Sequence, residues 1–490
     1  MRRSLLFAAL AVAAASGAAA EALGALIAET TANRHGLTRP WFNQVEFDPA
    51  RGRVTGMTLY GDVLYVQTSR GQVHAMDAER GDTLWVRRVG NPGHPTLPLG
   101  VNDEMVSVIN GSTLFVINRY NGRIIWQTRL DGIPGAGVTM SQERVFIPMI
   151  DGMVAAYRLD PTAGRRYRDP ETPADEEAAA LVPDEADDED AEEAEFARLD
   201  AFRVAEDTIL PQIIQSYGSA IVPPLVTRQS ASQEFVAWAT DRGMMFVAEL
   251  NRFRDRDFRI NYRLRTHDII SASPTLIPSD PEAGIEAAKI IAVSHDGRVY
   301  ALDERSGREL WQFPTGEPIR VPAVVIGDRI HVATSLGGMY CLEASSGRQL
   351  WWAPQITDFV AAGNDRIYVS DKLDRLVVLD AETGSRLDTL PVDPTHLRFR
   401  NDRTDRIYLA SPSGLVQCLR EVDLTEPLRH RPWGQVVEVE ESEVTEAERE
   451  EAAPAVEQRP AEDPFQRPVA EPADHFDPFD DFDDFDDPFR

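Results

Sequence analysis

Residues 75–85 read Ala75-Met76-Asp77-Ala78-Glu79-Arg80-Gly81-Asp82-Thr83-Leu84-Trp85, and residues 301–311 return to the same frame as Ala301-Leu302-Asp303-Glu304-Arg305-Ser306-Gly307-Arg308-Glu309-Leu310-Trp311. The Ala, Asp, Gly and Trp keep their spacing while the residues between them change. Variants of the frame stand at Val116-Asn118-Gly122-Trp126 and Cys341-Glu343-Gly347-Trp351. Trp85 and Trp126 are 41 residues apart, and Trp311 and Trp351 are 40 apart. A period near 40–45 residues is that of a four-stranded propeller blade, a unit too small to bury its own apolar face without neighbours.

The residues around the motif read as strands. Val63-Leu64-Tyr65-Val66-Gln67-Thr68, then Gln72-Val73-His74-Ala75-Met76-Asp77, then Thr83-Leu84-Trp85-Val86 are β-rich runs separated by turns at Ser69-Arg70-Gly71 and Ala78-Glu79-Arg80-Gly81. Gly-bearing turns between such runs are hairpin signals. Aligned turn positions fall at Gly71, Ser112, Gly152, Gly243, Gly297, Gly337, Asp374 and Gly414. The chain is therefore expected to be all-β, an eight-bladed propeller of four-stranded antiparallel blades. Seven blades is the alternative if the unit around Phe235–Val247 is not a blade. Units three, four, seven and eight lack the Trp, and Asp388 stands at that position in unit seven. Closing the ring hides its edge strands, and the alternating segment 41–47 is expected to do this by adding a strand to the last blade.

Each motif residue has a structural role. Gly81, Gly122, Gly307 and Gly347 suit a turn with positive φ. Asp77, Asn118 and Asp303 suit side-chain bonding to turn backbone. Trp85, Trp126, Trp311 and Trp351 need a small surface to lie on, which Ala75, Ala301 and Cys341 are expected to supply from an adjacent blade.

The first 20 residues read as a signal peptide: Arg2 and Arg3, an apolar run from Leu5 to Val12, and Ala18-Ala19-Ala20 before Glu21. The run is shorter than the roughly 20 apolar residues of a spanning helix, and no cysteine near the cleavage site offers a lipid anchor. The expected organisation is a signal peptide at 1–20, a lead-in at 21–40, the propeller at 41–433 with an acidic insertion at 161–205, and an acidic tail at 434–490. The mature chain is expected to be exported to the periplasm or beyond, without a transmembrane span, and monomeric. Its two cysteines, Cys341 and Cys418, fall at the same place in non-adjacent repeats, too far apart for a disulfide.

The net charge is −30. Asp169–Asp200 carries −14 of it and Gly434–Arg490 carries −16, so the rest of the chain is neutral. A neutral ring lacks the cationic patch that begins nucleic-acid recognition. The insertion reads as a solvated surface loop or a partner-binding arm. In the tail, Phe465, Phe479, Phe482, Phe485 and Phe489 alternate with Asp and Pro. They read either as weak apolar anchors that gain from tethering or as part of a solubilising segment.

The motif at 75–85 and 301–311, with its variants at 116–126 and 341–351, resembles the pyrroloquinoline-quinone (PQQ)-type β-propeller superfamily. Within it the chain looks most like the BamB-like proteins. That resemblance implies a non-catalytic, extracytoplasmic scaffold that binds proteins of the cell envelope during outer-membrane protein assembly. The absent lipid-anchor cysteine departs from the lipoprotein pattern of that group. The superfamily also includes PQQ-dependent alcohol dehydrogenases, whose adjacent cysteine pair this chain does not have. Its nine histidines are scattered and none pairs with a Ser or Cys at a recognisable spacing. No catalytic residue, cofactor or metal is expected. A PQQ-dependent dehydrogenase and a propeller binding a small ligand or carbohydrate on its axis are the alternatives.

Overall fold

The computed structural model describes residues 26–159, 211–229, 233–251, 258–281, 285–393 and 395–431. The signal segment, the acidic insertion and the tail with its phenylalanines lie outside them.

Eight four-stranded antiparallel sheets form the ring. Strands are lettered a to d from the axis outward. Blade one is Val54–Tyr60, Val63–Thr68, Gln72–Asp77 and Thr83–Arg88. Blade two is Gly100–Val101, Met105–Asn110, Thr113–Asn118 and Ile124–Arg129. Blade three is Thr139–Met140, Arg144–Pro148, Met153–Arg158 and Gln212–Gln215. Blade four is Leu225–Gln229, Gln233–Ala239, Met244–Asn251 and Phe258–Arg265. Blade five is Thr275–Ile277, Lys289–Val293, Arg298–Asp303 and Glu309–Pro314. Blade six is Val324–Ile326, Arg329–Ala333, Gly338–Glu343 and Gln349–Pro354. Blade seven is Ile356–Ala362, Arg366–Asp371, Leu376–Asp380 and Arg386–Leu390.

Blade eight is made from both ends of the described chain. Its a, b and c strands are Leu397–Arg398, Ile407–Ala410 and Leu415–Glu421, and its d strand is Leu37–Gln44, after a short helix at Glu29–Arg34. Leu37 pairs with Glu421 and Gln44 with Leu415. The closing strand thus starts four residues before the expected boundary at Trp41.

The unit around Phe235–Val247 is a full blade, which removes the seven-bladed alternative. Trp238 is completely buried and stacks on Phe246 at 5.6 Å between ring centroids. The acidic insertion leaves blade three between its c and d strands, Met153–Arg158 and Gln212–Gln215.

Consecutive antiparallel strands put the a–b and c–d turns at one end of the ring, and the b–c turns and d-to-a links at the other. The first is called the turn end here and the second the link end. The N-terminal strand enters at the turn end, where Leu37 faces Glu421. The insertion is attached at the same end. So is the last described stretch, in which His430 donates to the Arg403 carbonyl and Arg431 to the Val325 carbonyl.

The cores lie between neighbouring sheets. One buries Ala333, Cys341, Trp351, Phe359 and Val369 across blades six and seven. His331 sits in this apolar wall between Trp351 and Phe359, with ring centroids 5.6 and 5.7 Å away. Burial, with a smaller contribution from Arg329, pushes its imidazole down to about 3, and burial pushes His74 down to about 4. Both are neutral in the folded protein. In the unfolded chain they titrate near 6.5, so unfolding takes up a proton at each site as the pH falls. Their stabilising share is complete above about pH 6.5 and is lost as the pH drops toward the folded values. Between about pH 6 and pH 4 each site should remove about 1.4 kcal/mol per pH unit. Urea midpoints at pH 7, 6 and 5 should show this slope, and His74→Phe with His331→Phe should flatten it.

Candidate functional site

The motif residues assemble into joints between blades. In blade one, Trp85 faces Ala75 within its own sheet. Ala301 and Cys341 likewise face Trp311 and Trp351 of their own blades. The expectation that these small residues are platforms from an adjacent blade is corrected: each indole lies against the motif glycine of the next blade. A Cβ at Gly122 would come closer than 3.0 Å to the Trp85 ring, one at Gly347 to Trp311, and one at Gly384 to Trp351. Only a residue with no side chain leaves room for the ring. Gly81 must also hold φ +77, where L side chains are strained.

The indole N–H then bonds to the carbonyl three residues before that glycine. Trp85 Nε1 donates to Arg119 O at 2.7 Å and Trp351 Nε1 to Ala381 O at 3.1 Å. At the joint between blades five and six, Lys289 Nζ has taken the corresponding Ala344 carbonyl at 3.0 Å, and the buried Trp311 N–H is left without a partner. Trp126 is buried in the core shared by blades two and three. The motif acids hold the receiving turns: Asp77 Oδ1 accepts from the Glu79 and Arg80 amides, Asn118 Oδ1 from those of Tyr120 and Asn121, and Asp303 Oδ1 from Ser306.

Two further joints were hidden in the sequence. Trp41, on the closing strand, faces Cys418 of blade eight and packs over Gly81 of blade one, its N–H donating to Ala78 O at 2.9 Å. Blade eight therefore has its tryptophan after all. Tyr262 does the same from blade four, lying over Gly307 with its hydroxyl donating to Glu304 O at 2.6 Å. Asp388 instead hydrogen-bonds to His35 Nδ1 at 2.5 Å. Both cysteines are free and buried. Cys341 is pushed up to about 12 by burial, and burial also raises the Cys418 thiol well above its ordinary value. Neither is a usable nucleophile.

Exposed apolar side chains are distributed unevenly. Among the described residues outside strands, Ile133, Ile150, Tyr217, Ile221, Ile269, Leu336 and Leu373 stand exposed at the link end, against Tyr120 and Val422 at the turn end, while Leu84, Ile213 and Leu387 are exposed at the starts of d strands. The first five come from blades three to five and are linked through backbone. Ile150 N–H bonds to Ile133 O, Ala220 N–H to Met149 O, Asp241 N–H to Ser219 O, and His295 N–H to Ile269 O. Asp131, Asp151 and Asp268 are exposed beside them.

The same surface holds a Ser–His pair that linear spacing concealed, Ser271 Oγ lying 2.6 Å from His295 Nε2. A third group orienting the base completes a nucleophile pair of this kind, and among the described residues no carboxylate bonds to His295. Nor does any group of three or more His, Cys, Asp and Glu there have the arrangement of a metal site. No helix among them is long and apolar enough to cross a membrane.

A family model described as outer membrane protein assembly factor BamB matches residues 21–182 and 295–417, more than half of the chain. Among solved structures, BamB from Moraxella catarrhalis superposes with a TM-score of 0.53 at 13% identity, covering 79% of this chain and 98% of that one. Saccharomyces cerevisiae Sqt1 gives 0.53 at 8% identity, covering 77% and 97%. The computationally designed Ika8 protein gives 0.50 at 13%, covering 76% and 98%. At such identities these likenesses speak to fold alone. No curated protein sequence matches the chain.

Proposed function

Since the chain belongs to the outer membrane protein assembly factor BamB family, we propose that it is an exported, non-catalytic scaffold that holds a protein partner against the link end of its ring during outer-membrane protein assembly. The observation that carries this reading is the one-sided distribution of exposed apolar side chains, richest on blades three to five. Apolar patches rimmed by polar groups mark interaction sites. Tyr217, 69% exposed, is of a residue type enriched among binding hot spots. Asp131, Asp151 and Asp268 around it favour a partner with basic residues at its rim and steer its approach.

A photo-crosslinking residue placed at Tyr217 or Ile269 should give a discrete protein adduct in the native envelope. The same residue at Tyr120, which is 71% exposed at the turn end, should give none. Tyr217→Ala should weaken capture of that partner about tenfold, or about 1.4 kcal/mol. Adducts from position 120 alone would refute the assignment of the surface. Unchanged outer-membrane protein levels after loss of the protein would refute the assembly role.

A further inference from the structure

We infer that the groove between blades five and six binds a proline-rich segment of a partner protein in the extended polyproline II conformation. This site is on the outer wall of the ring, separate from the apolar patch on blades three to five, and does not depend on the partner proposed for that patch.

Three aromatic rings line the groove as a ladder. Phe313, on the d strand of blade five, meets Tyr340 of blade six edge-on at 5.4 Å between centroids. Tyr340 then meets Trp352, on the d strand of blade six, at 6.4 Å. The ladder is held in place. Tyr340 donates its hydroxyl across the joint to Thr315 O at 3.2 Å. The Trp352 indole lies over the backbone of Gly338, where a Cβ would come within 2.7 Å of Nε1. Just past Phe313 on blade five, a Cβ at Gly316 would meet nothing within 4 Å, so there is open space at that point.

The joint is unlike the others. The positions of Phe313 and Trp352 relative to the motif tryptophans are held by Arg87 and Val86 in blade one, and by Thr128 and Gln127 in blade two. Trp352 also faces away from the joint that Trp351 makes with Gly384. It is 48% exposed, and among the described residues its N–H bonds to no protein group.

A ladder of two half-buried rings, Phe313 and Tyr340, ending in the exposed Trp352 with its unused N–H donor fits a particular ligand. Proline rings pack flat on aromatic faces, and the carbonyl preceding them accepts from an indole N–H, as in the grooves that read polyproline II helices. That helix rises about 3.1 Å per residue with three residues per turn, so about one turn spans the ladder. It is ordered before binding, which lowers the entropic cost of docking. Glu317 lies close enough to Tyr340 to add to the rise that burial gives its phenol pKa. Its carboxylate supplies a negative charge at the groove, matching a basic residue beside the prolines.

The test is calorimetric titration of the full chain with a synthetic proline-rich peptide bearing a terminal arginine. A control peptide has alanine in place of each proline. Saturable binding of the first and not the second is expected. Trp352→Ala should weaken it at least tenfold, Phe313→Leu should weaken it severalfold, and Trp352→Phe should fall between wild type and Trp352→Ala. Urea midpoints equal to wild type would show that these variants fold. No saturable binding by the wild type, equal binding of the alanine control, equal affinity in Trp352→Ala, or binding of a cello-oligosaccharide in place of the peptide would each overturn the inference.

Discussion

Trp41→Ala should destabilise the protein by about 3–5 kcal/mol, the usual range for removing a buried aromatic ring. Trp41 is buried, and it is the only motif tryptophan carried by the strand that closes the ring. Its loss opens a cavity over Gly81 and leaves the Ala78 carbonyl with only the longer bond from the Tyr408 hydroxyl, at 3.3 Å. The effect should exceed that of Phe42→Ala on the same strand, because Phe42 is more than half exposed. Denaturant midpoints of the two variants at equal slope give the comparison. If Trp41→Ala unfolds at the same denaturant concentration as Phe42→Ala, the indole does not clasp the ring.

Arg406→Ala should cost a similar amount, about 3–5 kcal/mol, because it strands buried acceptors. Arg406 is fully buried. It donates to Asp405 Oδ2 at 2.7 Å, to Glu79 Oε2 at 2.8 Å, and to the carbonyls of Leu424 and Thr425. Asp405 is itself fully buried, so removing the guanidinium leaves a carboxylate without its counter-charge. Glu79 is one-third exposed and can return to water at lower cost. Arg406→Lys keeps the charge without the planar fork and should recover only part of the loss. Glu79 and Gly81 belong to one turn of blade one, and that turn receives both the Arg406 and the Trp41 contacts. The double variant Trp41→Ala/Arg406→Ala should therefore cost measurably less than the sum of the singles. Strict additivity would show that the two contacts act separately.

The fold was legible in the sequence because the repeat is local: strands a to d of blades one, two, five and six follow one another, and their turns carry Gly at a fixed offset. The joints were less legible for the same reason. A motif that runs from Ala75 to Trp85 looks like one device. In space it is two halves: the Asp77–Gly81 turn receives an indole from the preceding blade, and Trp85 reaches forward to Gly122. Trp41 could not be found by period, since its strand precedes the first unit while its blade is completed by residues 397–421. Tyr262 was hidden by a change of residue type and by a register shift beside Val247. The acidic insertion concealed that Gln212–Gln215 completes blade three. The apolar surface left no sequence signal, because its side chains come singly from turns spread over residues 133–269, each unremarkable where it stands.

Every covalent departure from the ring is on one side: the incoming strand at Leu37, the acidic loop after Arg158, and the outgoing chain past Arg431. Lengthening the chain at any of these points, or fusing to it there, leaves the path of the turns that carry Ile133, Tyr217 and Ile269 unchanged. A handle for immobilising the molecule, joined directly after Arg431, is attached at the end of the ring opposite those turns.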